Sequence, residues 1–341
     1  MWAAGLKWMF LIIGTTIGAG YASGRELWQF FGHESGLAIL LFSLFFSVCC
    51  MVIMNISYKL KTNHYLPVLE EIVGSKLTGV FDLMILLYLF TTTIIMIAGS
   101  GATGQAFNFP NWWGMVIIAV ALILLFSKGV NGLININRYI LPFLLGGMLY
   151  ILIMFTIDQH LALFSHWHEQ RNWIAAFPFT ALNILPLIAV LGAVGNKVTS
   201  KREIGIACWG SGICLGVLSY IYNNSLIQIA DEILLYEIPL FAILKHYPFE
   251  ILVLMSILLW FAIFTTAASG MLGIATRLQE YFQKPLHVIV VGVLLIMIPL
   301  STFGFSTLIS FIYPIYGILN LYILARLLMY PIWNKMDRRH K

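Results

Sequence analysis

About ten apolar segments, the hydropathy pattern of a chain that crosses a lipid bilayer repeatedly as helices, follow one another along this sequence. Only 10% of the 341 residues are charged and 60% are hydrophobic, whereas an ordinary soluble domain has about 25% charged residues. Because backbone polar groups in lipid must find partners within the protein, such a chain folds as a helical bundle. The predicted fold class is therefore an all-α integral membrane protein, a single polytopic domain over residues 1–341. The predicted spans are about 5–31, 36–57, 79–106, 112–126, 139–157, 173–195, 204–225, 249–278, 286–300 and 305–329.

The basic residues fall almost entirely on one side of this predicted bundle. Of the 19 lysines and arginines, all but Arg25, Arg171 and Lys245 fall in the loops and termini of the side that holds both chain ends. Loops rich in lysine and arginine stay in the cytoplasm. The sequence therefore predicts cytoplasmic termini and an even number of spans.

The first apolar segment is interrupted at residues 14–24, which hold four glycines and three Ser/Thr hydroxyls in eleven positions. Glycine in a helix interior lets the backbone leave helical angles. Irregular backbone at membrane depth persists only where it is buried in protein or lines a cavity. The stretch predicts a polar site for an ion or small solute inside the bundle. The alternative is that the glycines only allow close helix packing.

The ten segments divide into two sets of five, at about 5–157 and 173–329, with matching features. The first member of each set is interrupted, in the second set by Pro178, Asn183, Pro186, Gly192 and Gly195. The third member of each set is long and carries a threonine cluster. Since five is odd, the second set starts from the opposite side of the membrane. The pattern predicts an inverted-topology repeat with the two broken helices meeting near the midplane.

Ionisable residues are absent from the middle of the predicted spans, and only Arg25 and Glu26 lie close to the first break. Charged residues at membrane depth are rare and usually functional. The pair is a candidate for a gate or for ion coupling, and the alternative is a salt bridge that fixes the outer half-helix. Abundant hydroxyls and free carbonyls favour sodium as the coupling ion. Glu26 is the candidate group if coupling uses protons.

Other polar features give weaker signals. The outer segment 226–247 has helical periodicity and is either a lid or a plain surface helix. The outer loop around His160, His166 and His168, with Asp158 and Glu169, matches no tight metal motif and is interpreted as a solvated loop. The sequence contains no zinc-protease, nucleophile-elbow or nucleotide-loop motif, so we expect no enzyme activity, no cofactor and no metal beyond a sodium ion.

Two stretches resemble a known family. The stretch Gly14-Thr-Thr-Ile-Gly-Ala-Gly-Tyr-Ala-Ser-Gly-Arg-Glu26 resembles the first-helix signature of the YkvI-type bacterial membrane proteins. Phe264-Thr-Thr-Ala-Ala-Ser-Gly270, followed by Arg277, looks like the eighth helix of that group. These proteins are similar to distant members of the amino acid–polyamine–organocation transporter superfamily, which has the LeuT fold. The resemblance implies a LeuT-like 5+5 inverted repeat with broken first and sixth helices, in a bacterial inner membrane.

The resemblance also implies two sites. In sodium-coupled carriers of this fold, carbonyls of the first-helix break and the eighth helix bind sodium together with two eighth-helix hydroxyls. The corresponding sodium ligands here are the carbonyls of Gly14, Ile17 and Ala262 and the hydroxyls of Thr265 and Thr266. The alternative is that both threonines only hydrogen-bond their own helix. The implied substrate-binding residues are Thr15, Thr16, Gly18, Gly20, Thr180 and Asn183.

The function that the resemblance implies is secondary active transport of a small polar or zwitterionic, amino-acid-like solute by sodium symport. The runner-up is a non-transporting membrane nutrient sensor of the same fold, and a proton-coupled carrier using Glu26 is a further alternative. Amine and divalent-metal substrates are disfavoured, because the first helix lacks the acidic residues that such carriers use there. The expected partners are the solute and the lipid bilayer, with no nucleic acid, and the sequence leaves the oligomeric state open.

Overall fold

The computed structural model describes residues 2–128, 131–161 and 170–337, and this part of the chain is helical throughout. The helices are α1 Trp2–Thr16, α2 Ala19–Ala22, α3 Arg25–Phe30, α4 Gly36–Leu60, α5 Leu66–Val73, α6 Ser75–Gln105, α7 Asn111–Lys128, α8 Asn131–Asp158, α9 Ala176–Gly192, α10 Lys201–Gln228, α11 Ala230–Ile233, α12 Pro239–Leu244, α13 Phe249–Phe282, α14 Leu286–Ser301, α15 Phe305–Leu319 and α16 Leu321–Asp337. We call the side at which α3 ends the outer side.

Several of these helices are long and apolar enough to cross a membrane. Among the described residues, α4, α6, α10, α13 and the stretch Trp173–Gly192 meet this criterion individually. The pair α14 and α15, which bends by 101° at its break, meets it together. The all-helical membrane fold is therefore confirmed, while the count of ten spans stays a prediction.

The first span is broken twice, as the glycines predicted. Helix α1 ends at Thr16, where the N–H of Gly18 turns back to the Thr16 carbonyl at 3.0 Å. Gly18 is extended, with φ −89° and ψ −174°, so α2 starts in a new direction. Gly24 separates α2 from α3 with φ +81°, a left-handed conformation that favours glycine. The local sequence alone accounts for this irregular backbone.

The sixth span differs from the prediction in where its interruption lies. Helix α9 runs unbroken past Pro178, Asn183 and Pro186, ends at Gly192, and is followed by a 3₁₀ turn at Gly195–Lys197. Pro178 lies in the first turn of α9, where no N–H donor is needed. Pro186 removes one hydrogen bond, but most of the surrounding helix is buried against neighbours. The expected interruption around Asn183 therefore falls instead at the inner end of the helix.

The tenth predicted span is also divided. Helix α15 ends at Leu319 and α16 starts at Leu321, with Asn320 between them. Of the predicted outer loop at residues 158–172, His166, His168 and Glu169 lie outside the described residues.

Helix pairs in this fold have equivalents: when each helix is replaced by its counterpart in the other set of five, the new pair is also in contact. Helix α1 packs on α10, and its counterpart α9 packs on α4. Helices α8 and α13 form a pair, as do their counterparts α15 and α6. The 5+5 arrangement of a LeuT-like fold accounts for both equivalences. This packing brings the first-span break against α10, α13 and α15.

Candidate functional site

The broken segment of the first span is held by tyrosine hydroxyls. The Tyr21 hydroxyl donates to the Leu215 carbonyl at 3.1 Å and lies 2.6 Å from Ser219 Oγ, both on α10. From the same helix, the Tyr222 hydroxyl donates to the Ala22 carbonyl at 3.1 Å. Both tyrosines are fully buried. These bonds fix the short helix α2 against α10, because a buried hydroxyl without its partner is costly.

Within the outer segment predicted at residues 226–247, helix α12 packs over the break. All six residues of α12 are buried. The Leu240 N–H donates to the Ser23 carbonyl at 2.9 Å. The Arg25 guanidinium donates through Nη2 to the Tyr236 carbonyl at 3.0 Å. In this conformation, α11, α12 and the residues between them close the site on its outer side, as a lid does.

A count of hydrogen bonds along residues 13–24 separates the satisfied carbonyls from the free ones. Most carbonyls of this stretch accept a hydrogen bond; these are Ile13, Thr16, Gly18, Ala19, Gly20, Tyr21, Ala22, Ser23 and Gly24. In the described part of the chain, the carbonyls of Gly14, Thr15 and Ile17 accept none across the break. Ile17 is buried, whereas Gly14 and Thr15 are half-buried. Buried carbonyls almost always have a partner, so the unpaired Ile17 carbonyl in particular calls for an explanation. Gly14 and Ile17 are the two carbonyls assigned above to sodium.

The predicted hydroxyl ligands lie beside this segment but are already engaged. Thr265 and Thr266 both donate to the Ala262 carbonyl, at 3.1 and 2.8 Å. A Cβ placed on Gly18 would lie 3.8 Å from Thr266 Cγ2 and 4.0 Å from its Oγ1, so Thr266 faces the break. The back-bonding alternative thus describes the threonines in this structure. Because each hydroxyl acts only as the donor in this bond, the lone pairs of both hydroxyl oxygens remain available to a cation.

The predicted substrate-binding hydroxyls behave similarly. Each donates to the carbonyl four residues earlier: Thr15 to Leu11, Thr16 to Ile12 and Thr180 to Ala176. Asn183 differs, because its Nδ2 donates both to the Phe179 carbonyl at 2.9 Å and to Glu26 Oε1 at 3.2 Å. Asn183 therefore joins α9 to α3 across the site.

The side chain of Glu26 turns towards the break instead of pairing with Arg25. It is buried, and its Oε2 lies 2.9 Å from the position of a Cβ on Gly20, where Tyr313 Cε2 lies at 3.0 Å. Among the described residues the ion pairs are Arg171–Glu34, Lys245–Glu232 and Arg277–Asp82. The salt-bridge interpretation of Arg25 and Glu26 is therefore wrong, and the first span does bring an acidic group to the break.

Tyr313 is a site residue that the sequence did not indicate. It is one of 15 tyrosines and lies in α15, nearly 300 residues after Gly20 in the chain. Only the packing of α15 against α3 and α9 brings it to the break. No local motif marks such a residue.

The inner end of α9 is closed by the last turn of α4 and the loop between α4 and α5. Thr62 Oγ1 donates to the Gly192 carbonyl at 2.6 Å, and Ser57 Oγ donates to the Leu191 carbonyl at 2.8 Å. These side chains satisfy carbonyls that the end of a helix leaves free. They account for the position at which α9 ends.

Solved structures of transporters superpose on this arrangement of helices. MhsT in complex with L-phenylalanine superposes with a TM-score of 0.65 at 15% identity, covering 94% of this chain and 88% of that one. A Na⁺-coupled sialic acid symporter superposes with a TM-score of 0.60 at 14% identity, covering 94% and 75%. At these identities the likeness shows the fold. The protein is a LeuT-fold, multi-pass membrane protein.

The sequence relatives specify the family. YyaD of Bacillus subtilis (strain 168) is 45% identical over 335 residues, which are 98% of this chain and 99% of YyaD. This chain belongs to the YyaD family. The membrane protein YkvI of the same organism is 24% identical over 327 residues, 94% of each chain, which confirms the resemblance seen in residues 14–26. No protein-family model matches the sequence.

Proposed function

We propose that this protein is a secondary active transporter, a sodium symporter for a small polar or zwitterionic, amino-acid-like solute. The observation that carries the proposal is the group of free carbonyls at Gly14, Thr15 and Ile17, in the break where Gly18 faces Thr266. Unwound carbonyls at a broken helix bind sodium in carriers of this fold type. A sodium ion there would satisfy the buried Ile17 carbonyl, which costs about 1–3 kcal/mol without a partner, together with the half-buried carbonyls of Gly14 and Thr15.

The solute would bind next to the ion, between the break and α9. The predicted residues Thr15, Thr16, Gly18 and Gly20 lie on the first span, and Asn183 reaches across from α9. MhsT holds L-phenylalanine and the sialic acid symporter is sodium-coupled, which supports an amino-acid-like solute and this ion. Release would require the lid or the opposite side to open, as alternating access demands.

The proposed location of the protein is a bacterial cell membrane, with both termini in the cytoplasm. The distribution of basic residues supports this orientation. Sodium would then enter from the outer side, where α12 covers the site in this conformation.

The ion site is tested by thermal unfolding in sodium and in choline. A ligand at about 100 times its Kd stabilises the folded state by about 2.7 kcal/mol. We expect sodium to stabilise the wild-type protein, and the double variant Thr265→Ala with Thr266→Ala to lose that effect while staying folded. Thr276→Ala is the matched control, because its exposed hydroxyl makes the same bond to its own helix at Leu272, 2.7 Å away. An unchanged sodium effect in the double variant would refute the ion site.

Transport itself is tested by solute uptake into sealed vesicles under a sodium gradient. A nutrient sensor, the runner-up function, would bind solute without any flux.

A proton-coupled carrier is the second candidate, because the buried Glu26 has no cationic partner among the described residues. Uptake that follows a pH gradient and ignores sodium would favour it over sodium symport.

A further inference from the structure

Glu26 is a buried carboxylate without a counter-cation in the described structure. Its residue is only 5% exposed. The neighbouring Arg25 points away, to the Tyr236 carbonyl. Removing an ionised carboxylate from water costs several kcal/mol unless a cation and hydrogen bonds compensate it. The one side-chain bond to Glu26, from the neutral amide of Asn183 at 3.2 Å, compensates only part of that cost.

The surroundings of Glu26 leave one carboxylate oxygen directed at the break. Its Oε1 is the acceptor for Asn183 of α9. Its Oε2 lies over Gly20 of α2, where a side chain as small as a methyl group would come within 2.9 Å. Tyr313 of α15 approaches the same spot, with Cε2 at 3.0 Å and its hydroxyl at 3.3 Å from that Cβ position. Three elements thus place a carboxylate, an amide and a phenol around a glycine.

This combination suits a compact cation with several N–H donors. An ammonium group donates three hydrogen bonds and carries the charge that Glu26 lacks. The Tyr313 hydroxyl supplies an acceptor, and its aromatic ring also favours a nearby cation. The absence of a side chain at Gly20 lets Glu26 and Tyr313 both lie against α2, so that the carboxylate and the phenol converge at the break.

We propose that Glu26, with Tyr313 and Asn183, forms the subsite for an ammonium group of the solute. The inference rests on the proposed function and specifies its substrate class: the solute carries a primary amine, as a zwitterion or as an organic cation. Solutes of the same shape without the amine leave Glu26 uncompensated and bind poorly. For organic cations, this reverses the expectation from sequence that amine substrates are disfavoured, because the first span does carry an acidic group at the break.

The test uses matched probes on the purified full-length protein. Thermal stabilisation is measured with a panel of L-amino acids, each paired with the 2-hydroxy acid of the same side chain, all in sodium. We expect at least one L-amino acid to stabilise the wild-type protein and its 2-hydroxy partner to require a concentration at least 10-fold higher. A hydrogen bond to a charged group accounts for an effect of about 10- to 100-fold.

Variants then assign the preference to Glu26. Glu26→Gln should remove the preference for the amine, and Glu26→Asp, which keeps the charge, should retain part of it. Glu34→Gln is the control, since it removes a carboxylate from the surface pair with Arg171 and should change nothing. If Glu26→Gln does not fold, the comparison of Glu26→Asp and Tyr313→Phe with wild type decides, because both should weaken the amine preference.

Several outcomes would overturn the subsite. They are equal stabilisation by both members of every pair, no stabilisation by any amine, and an undiminished preference in Glu26→Gln or in both substitute variants. Proton-driven uptake that Glu26→Gln abolishes, without any amine preference, would also overturn it. Failure of the proposed transport function is distinct: amine-selective binding would persist in detergent while vesicles show no flux.

Discussion

At the scale of single residues, Gly24 shows how backbone conformation and packing act together. Its φ of +81° is one that side chains rarely adopt, and a Cβ there would lie 2.7 Å from the Tyr222 hydroxyl. That hydroxyl is already committed to the Ala22 carbonyl. Gly32, two residues after the end of α3, also has a positive φ, +62°, but its Cβ position has only an ordinary contact, 3.8 Å from the Trp28 carbonyl oxygen. Comparing the two glycines therefore separates backbone strain from collision.

We predict that Gly24→Ala destabilises the protein more than Gly32→Ala. Both substitutions place alanine at positive φ, which costs about 1 kcal/mol or more. Only Gly24→Ala also displaces Tyr222, and the loss of a buried hydrogen bond adds about 1–3 kcal/mol. Thermal unfolding in detergent without ligand measures the difference. Equal shifts for the two variants would contradict the assigned packing of Tyr222 on the break.

At the scale of elements, the lid formed by α11, α12 and the residues between them is attached both to the first span and to α15. The Leu240 N–H binds the first-span break, and the Tyr236 carbonyl accepts from Arg25. Glu237, the next residue, accepts from the Ser306 N–H at 2.7 Å, in the first turn of α15. A carboxylate at a helix N-terminus is stabilised by the free N–H groups and the helix dipole. Glu237 therefore connects the lid to α15, the helix that carries Tyr313.

We predict that Glu237→Ala loosens the lid and exposes its backbone. The change removes about 1 kcal/mol of helix-terminus stabilisation, so the amides of residues 230–244 should exchange hydrogen faster, Leu240 among them. Hydrogen exchange followed by mass spectrometry measures this. Glu232→Ala is the control in the same segment, because its ion pair with Lys245 is partly exposed and such pairs contribute little. Faster exchange in the control alone would exclude this role for Glu237.

At the scale of the whole molecule, the distribution of basic residues and the relation between the two sets of five helices both bear on how the bundle is oriented in the membrane. The basic residues mark one side of the bundle, and the exchange of α1 with α9 and of α4 with α10 relates its two halves. A repeat of five helices inverts its second half, so the first and sixth spans run through the bundle in opposite directions. The outer side is closed by the lid in this conformation.

We predict that the C-terminus is cytoplasmic. A fluorescent reporter that matures only in the cytoplasm, fused after residue 341, should be bright, and a reporter active only outside the cytoplasm should be inactive there. A truncated fusion after Pro110, between α6 and α7, is the control and should give the opposite pair of signals. The reverse pattern at both positions would place the basic side outside.

The sequence by itself determined the membrane class, the approximate helix limits, the orientation prediction and the place of the first break. These follow from local properties: apolar length, basic loops, and glycines whose freedom at Gly18 and Gly24 shapes the backbone wherever the chain folds. The signature around residues 14–26 also indicated the family. Local chemistry was sufficient because each signal lies within one segment.

Only the tertiary structure decided the composition of the site. It turned Glu26 towards Gly20 and away from Arg25, and it brought in Asn183 and Tyr313 from distant helices. It also moved the sixth-span interruption to Gly192, where Thr62 supplies the hydrogen bond that ends the helix. Contacts between residues more than a hundred positions apart depend on how whole helices pack, and no local pattern in the chain encodes that geometry.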